Sequence, residues 1–382
     1  MPAKAFAMST RVLLGEDACD QIPLQAAALK AARALIVTDK GLVKAGILEK
    51  VLKHVPAALN AGIFDEVEPD PSVQVVDRGA AMTREKNADL LIAIGGGSPI
   101  DAAKGISVVA ANGGSATAYE GMDKYAKPPL PVIAIPTTIG TGSEVTFGAV
   151  LTNTDTNYKF ILYGRDLAPK VAILDPLLVR GIPRSVAIPT GMDALTHGIE
   201  SYLSRNATPQ SRPLALEAIR IICANIEKAV ANPNDVHVIG AMLYAANIAG
   251  IAFACTRLGI VHAMALPLGA FFHVPHGIAN TILLPHGLEF NLGFADAQCR
   301  DIAVAMGLDV AKLTDRAAAE QVAAAIRGLI RRLDAPSRLS DVHVTRDKIP
   351  AMAADTMKSS HISANPRPIA QSDAAAVYEK AM

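Results

Sequence analysis

DLLIAIGGGSPIDAAK, residues 89–104, decides the fold. An unbroken apolar run bounded by polar residues is what a strand covered on both faces requires. Gly95, Gly96 and Gly97 follow with no Cβ, so a ligand can approach the backbone closely. SPIDAAKGISVVAAN (98–112) then opens a helix. Ser98 and the N–H groups of that helix start face any anion docked there, where the helix dipole favours negative charge. Asp101 lies in the first turn and can accept from nearby N–H groups. The pattern is neither GxGxxG nor GxxxxGK[ST]. A glycine triplet can also be a plain tight turn, but the strand before it and the helix after it favour a phosphate cradle.

The same alternation recurs on either side. ALIVTDK (34–40), GIFDEV (62–67) and LPVIAIPTT (130–138) read as strands, with helical stretches at 41–54 and 72–86. This order predicts a parallel sheet with helices on both faces, an α/β dinucleotide-binding domain whose ligands lie beyond the C-terminal strand ends. AFAMSTRVLLG (5–15) predicts a further strand or hairpin on this domain. From Pro183 the strand-like runs stop. Ala/Ile/Leu/Met-rich helical periods take over at 212–232, 238–254, 316–333 and 372–381. The expectation is therefore two domains, 1–183 α/β and 184–382 all-α.

Two further features of the first domain bear on a nucleotide. IPTTIGTGSEVT (135–146) follows a strand and offers Thr137, Thr138, Thr141 and Ser143. It can wrap a pyrophosphate or ribose, or be an ordinary polar loop. Asp39 ends the first clear strand. An acid there can accept from an adenosine ribose and repel a 2′-phosphate, favouring NAD over NADP, or it can be an exposed turn residue.

In the second domain, GMDALTHGIESYL carries Asp193 and His197, and GIVHAMALPLGAFFHVPHG carries His262 and His276. Four residues are about one helical turn, which sets the first pair roughly 5–6 Å apart on one face. One carboxylate and three imidazoles without cysteine suit Fe²⁺ or Zn²⁺ better than Mg²⁺ or Cu⁺. An Asp-x-x-x-His pair alone also reads as a salt bridge or a cap. The crowding of His262, His273, His276 and His286 in one stretch adds weight to the metal.

The 382 residues balance 36 basic against 36 acidic side chains, with only 4% aromatic and no Trp. Nothing there calls for a nucleic-acid or anionic-membrane partner. Four scattered cysteines suggest no disulfide framework and fit a reducing cytoplasm. The first residues lack the apolar core of a signal peptide, and the apolar stretches are too interrupted to predict a membrane span.

GGGSPIDAAK, PTTIGTGSEVT, GMDALTHGIESYLS and the run from GIVHAMALPLGAF to VPHGIANTILLPHGLEFN together resemble the iron-containing alcohol dehydrogenases along nearly the whole chain. The resemblance implies a dinucleotide-binding domain, a helical domain and a metal in the cleft, often in a homodimer. It implies metal ligands Asp193, His197, His262 and His276, a diphosphate site including Gly96, Gly97, Ser98 and Asp101, and Thr137, Thr138, Thr141 and Ser143 along the cofactor. Asp39 would meet the adenosine ribose and Lys159 the nicotinamide ribose, with Val150 and Leu178 as apolar walls. Phe147 and Phe253 fall where that family lines its substrate pocket.

One departure stands out. Many members read His-x-x-x-His-Pro-Leu-Gly, where this chain has Leu266. His273 is expected to stand in for the missing imidazole in proton transfer, or else to be structural. Arg257, in ACTRLG, could grip an anionic substrate or lie on the surface. The implied activity is reversible hydride transfer between a small alcohol or aldehyde and NAD on Fe²⁺ or Zn²⁺. A hydroxyacid–oxoacid transhydrogenase with bound NAD, and a lyase similar to dehydroquinate synthase, are the alternatives.

Overall fold

The apolar runs read from the sequence become the middle of a parallel sheet. Nine strands occur among the described residues: β1 (Arg11–Leu14), β2 (Ala34–Val37), β3 (Asn60–Phe64), β4 (Leu90–Gly95), β5 (Gly121–Met122), β6 (Val132–Pro136), β7 (Gly148–Asn153), β8 (Tyr158–Tyr163) and β9 (Val171–Leu174). The structure is a computed structural model that describes residues 4–156 and 158–382. Six strands form the main sheet in the order β1-β9-β6-β4-β2-β3, every pair parallel.

Period-two geometry sorts these strands into two faces. Leu35, Val37, Leu91, Ala93, Val132 and Ala134 pack on one side with helices Val73–Glu85 and Gly97–Asn112. Ile36, Ile92, Ile94, Ile133, Ile135 and Ile173 pack on the other with Ile22, Leu48 and Val51. Each of the Val, Leu and Ile side chains contributes roughly 1.5–3 kcal/mol on burial. β2, β4, β6 and β9 are buried along their whole length. That explains why β2, β4 and β6 read as continuous apolar runs; β9, equally buried, was not foreseen.

Three local features resolve or depart from the sequence reading. The helix expected over 41–54 is two short helices, Lys40–Lys44 and Ile47–Leu52, broken where Gly46 turns left-handed at φ 70°. Residues 5–15 give a single edge strand, β1, rather than a hairpin. A second, three-stranded sheet, β5-β8-β7, was not foreseen. There β7 and β8 pair antiparallel and bury alternate residues, a weaker signal than the central runs.

The chain divides into two compact units, Met8–Arg180 and Gly181–Met382, the second joined by the N-terminal residues up to Ala7. Lys4 Nζ reaches the carbonyls of Arg205 and Ala207, and Ala7 N–H donates to Cys255 Sγ. This second unit is helical, with no strand among its described residues. Helices Arg184–Leu203, Ser211–Ala231 and Val236–Thr256 pack on one another. The last is long and apolar enough by composition to cross a membrane, with a mean hydropathy of 1.9, but 61% of that stretch is buried inside the fold.

Candidate metal centre and nucleotide cradle

Asp193 and His197 lie one turn apart on helix Arg184–Leu203, with His197 Nε2 3.7 Å from Asp193 Oδ1. His262 sits near the start of helix Ile260–Phe272, and its Nε2 is 3.5 Å from the same oxygen. His276 is the first residue of helix His276–Phe290, with Nε2 3.7 Å away. Donor atoms of Asp193, His262 and His276 all fall within 4.8 Å of one another. His197 stands at the edge of that set, stacked on His262 at 4.7 Å between ring centroids. Metal–ligand bonds of about 2.1 Å at tetrahedral angles put donor atoms about 3.4 Å apart, so this spacing fits a first-row divalent ion.

Two residues that the sequence reading passed over brace the cluster. Glu200 accepts from His262 Nδ1 at 2.7 Å and from the N–H groups of Val261 and His262. This assigns the proton to Nδ1 and leaves Nε2 facing Asp193, the carboxylate–histidine support typical of metal sites. Asn280 Nδ2 lies 2.7 Å from Asp193 Oδ1 and 3.1 Å from Nε2 of both His262 and His276. Its Oδ1 is buried and finds no partner among the described residues. A donor amide has thus settled where several lone pairs converge. That convergence, with an orphaned oxygen beside it, is how a cation site looks when read from its protein side.

The charges follow from this crowding. Burial alone would raise the Asp193 carboxyl, but His197, His276 and His262 overrule it and hold it below the usual range. Burial likewise works against Glu200, and its bonds to His262 and the backbone win. His262 is pushed the other way: burial disfavours its charge, yet Asp193 and Glu200 bring it up to about 9.

Around the cluster, Phe253 stacks on His197 at 4.3 Å. Leu266 is partly buried one turn beyond His262. His273 caps the C-terminus of its helix in a left-handed conformation, φ 56°, and is exposed. No contact with the four ligands is found for it among the described residues. The structure brings a different imidazole close. His361, just before the short 3₁₀ segment Ile362–Ala364, lies 6.2 Å from the His262 ring between centroids. Burial, helped by His262, pushes it down to about 3, so it is neutral. Arg257 is exposed and donates to the Ser360 carbonyl at 3.3 Å.

In the first unit the triple glycine meets the Thr/Ser loop. A Cβ on Gly96 would lie 3.0 Å from Thr138 Cγ2, and one on Gly97 3.2 Å from Thr141 Cγ2. Gly95 has φ +153°, and a Cβ there would sit 2.4 Å from Pro99. Thr138 Oγ1 is buried beside this turn without a partner among the described residues. An unpaired hydroxyl facing a Cβ-free turn at a helix N-terminus suits a phosphate. Ser98 lies in the first turn of that helix, and Thr137 N–H donates to the Gly95 carbonyl.

Asp101 is held in a network of donors at the start of this helix. Its carboxylate accepts from the Ser143 hydroxyl, the Val150 N–H and the Lys104 ammonium. Lys104 is completely buried and also donates to Ser143 Oγ, Thr146 Oγ1 and the Gly148 carbonyl. Together they fasten the loop to the helix. Asp39 caps helix Lys40–Lys44 by accepting from Leu42 N–H at 2.9 Å. Lys159 pairs with Asp70 at 2.7 Å. Leu178 is buried in the core behind the sheet, and Phe147 is buried edge-on to Tyr163.

Comparison with known proteins gives the same picture. Residues 9–176 match the family model for iron-containing alcohol dehydrogenase, and 187–382 match its C-terminal counterpart. The chain belongs to the iron-containing alcohol dehydrogenase family. It is 40% identical to a 1,3-propanediol dehydrogenase of Klebsiella pneumoniae over 91% of both chains. It is 36% identical to an NAD-dependent methanol dehydrogenase of Bacillus methanolicus over 97% of both. A solved 1,3-propanediol oxidoreductase superposes over the full length of both chains with TM-score 0.97 at 38% identity. As a member of this alcohol dehydrogenase family the chain is an oxidoreductase.

Glu200 and Asn280 could have been found from spacing. Glu200 is seven residues after Asp193, and Asn280 four after His276, so each shares a helix face with a ligand. His361 carried no such signal, because chain folding alone brings it to the cluster.

Proposed function

We propose that this chain is a metal-dependent, NAD-linked alcohol dehydrogenase working reversibly as an aldehyde reductase on small substrates. The observation that carries it is the convergence of Asp193, His262 and His276, with His197 beside them and Glu200 behind. Asp193, His197, His262 and His276 would hold Fe²⁺, with Zn²⁺ accepted by the same donors. Gly96, Gly97, Ser98 and Asp101 would take the diphosphate of NAD, with the unpaired Thr138 hydroxyl beside them, and Asp39 its adenosine ribose. Thr137, Thr138, Thr141 and Ser143 would follow the cofactor, with Lys159 near its nicotinamide ribose and Val150 and Leu178 as apolar walls. The methanol dehydrogenase relative of Bacillus methanolicus is NAD-dependent.

The bound ion supplies Lewis acidity to the alcohol oxygen, and NAD supplies the hydride acceptor. The chain does the rest. Glu200 accepts from His262 Nδ1 and so turns Nε2 toward Asp193, where a metal would replace the Nε2 proton. Asp193 stays ionised because three imidazoles face it. Phe253 and Leu266 give the alcohol an apolar surround that excludes water, which strengthens every charge interaction there. Phe147, on the nucleotide-binding unit, is kept as a substrate-pocket candidate. Asp101 and Lys104 fix the loop that carries Ser143. His273, exposed at a helix end, is retained as a candidate for relaying the alcohol proton to solvent.

A cytoplasmic homodimer or higher homo-oligomer completes the proposal. All four cysteines are free, which suits a reducing compartment. The test is a panel of alcohols and aldehydes assayed with NAD and NADP, on protein reconstituted separately with Fe²⁺ and Zn²⁺. Metal-dependent NADH formation from a short alcohol supports the reading. Absence of turnover with every metal and substrate defeats it. Light scattering reports the oligomer.

A further inference from the structure

A further imidazole beside the cluster, outside the four candidate ligands, is that of His361. Its ring lies 6.2 Å from that of His262, tilted by 55°. That offset is too wide for the two rings to share one donor atom position, and close enough for one small molecule to touch both. Leu258 N–H donates to His361 Nδ1 at 3.1 Å. Nδ1 must therefore present its lone pair, and the ring proton must sit on Nε2. Among the described residues Nε2 has no hydrogen-bond partner. Helix Ile260–Phe272, one turn past the ligand His262, presents the apolar Leu266, so its own face offers no donor at that point.

A ring locked this way has one thing to give. It can donate from Nε2. It cannot take up a proton on Nδ1, because two N–H groups would then oppose each other. A group that only donates does not suit the hydroxyl being oxidised, which must lose its proton. It suits a second oxygen that keeps its lone pairs available. We propose that His361 is a substrate-binding residue whose Nε2–H holds a second oxygen of the substrate, so that the site prefers diols and hydroxyaldehydes over simple alcohols. This rests on the alcohol dehydrogenase reading above and names the substrate class for it.

Two substitutions separate the two ring nitrogens. In His361→Asn the amide oxygen replaces Nδ1 as acceptor for Leu258 and the Nε2 donor is lost. In His361→Gln a donor is restored near the Nε2 position. The metal-loaded enzyme and both variants are assayed with NAD on propane-1,3-diol and propan-1-ol, with melting temperatures recorded for each. His361→Asn should lower kcat/KM for the diol about tenfold, chiefly through KM, and leave propan-1-ol nearly unchanged. His361→Gln should recover part of the loss.

Equal losses on both alcohols, or no loss on either, overturn the assignment. So does an unsubstituted enzyme that oxidises propan-1-ol and not the diol. Inactivity of the unsubstituted enzyme on both alcohols would instead overturn the dehydrogenase reading, and the assignment with it. A readout independent of turnover is ¹⁵N NMR of the imidazole. It should show a protonated Nε2 and a bare Nδ1 at neutral pH, and the opposite tautomer rejects the proposal.

Discussion

His262 is the residue on which the metal site turns, because two carboxylates compete for its proton. With its affinity raised to about 9 from an ordinary 6.5, the metal-free protein keeps this ring charged through neutral pH. The sign follows directly. A raised folded-state value stabilises the metal-free protein fully below pH 6.5, and that contribution fades as pH climbs through about 9. A metal must displace the same proton, so its apparent affinity should increase with pH and stop gaining above about 9. Calorimetric titration with Zn²⁺ at pH 7 in buffers of different ionisation enthalpy should reveal proton release on binding. A buffer-independent heat would contradict the assignment. Glu200→Gln keeps the shape and removes the charge that holds Nδ1–H. Losing such a support costs about 10- to 100-fold in metal affinity, which competition with a chelator measures.

At the scale of elements, close approach decides where ligands stand. A Cβ on Gly277 would lie 2.3 Å from the Pro189 carbonyl oxygen. This glycine lets helix His276–Phe290 touch helix Arg184–Leu203, and so sets His276 beside Asp193. Gly277→Ala must push the helices apart, at about 1–3 kcal/mol by analogy with overpacked cores. Urea unfolding should show that loss, and zinc retention should fall with it. Lys104→Met makes a similar test of the nucleotide loop. It removes a buried cation from Asp101, at about 3 kcal/mol, and should weaken NAD binding in fluorescence titrations. The main strands were legible because burial on both faces writes an unbroken apolar run. The β7–β8 pair escaped because one wet face dilutes its pattern. The gathering of Asp193, His262 and His276 was legible from residue type, and the pairing of Asp193 with His197 from helical spacing. His361 was not, since nothing local marks a residue delivered by a distant loop. The bond of Asp101 to Ser143 was not legible, since that partner comes from a separate segment of the sequence.

On the scale of the whole molecule, the two kinds of chemistry are assigned to different compact units. Every candidate metal ligand lies in Gly181–Met382, and the glycine turn with its Thr/Ser loop lies in Met8–Arg180. A ligand that binds only the folded form stabilises what it touches, by about 2.7 kcal/mol at one hundred times its dissociation constant. Local opening is suppressed first in the elements that hold the ligand. Hydrogen exchange should therefore split by ligand. Zn²⁺ should slow exchange in helices Arg184–Leu203, Ile260–Phe272 and His276–Phe290, with β4 and β6 little changed. NAD alone should slow exchange at residues 95–101 and 137–146, with those three helices little changed. A uniform slowing by either ligand would mean that the units open only as one body, and that neither site can be emptied without loosening the other.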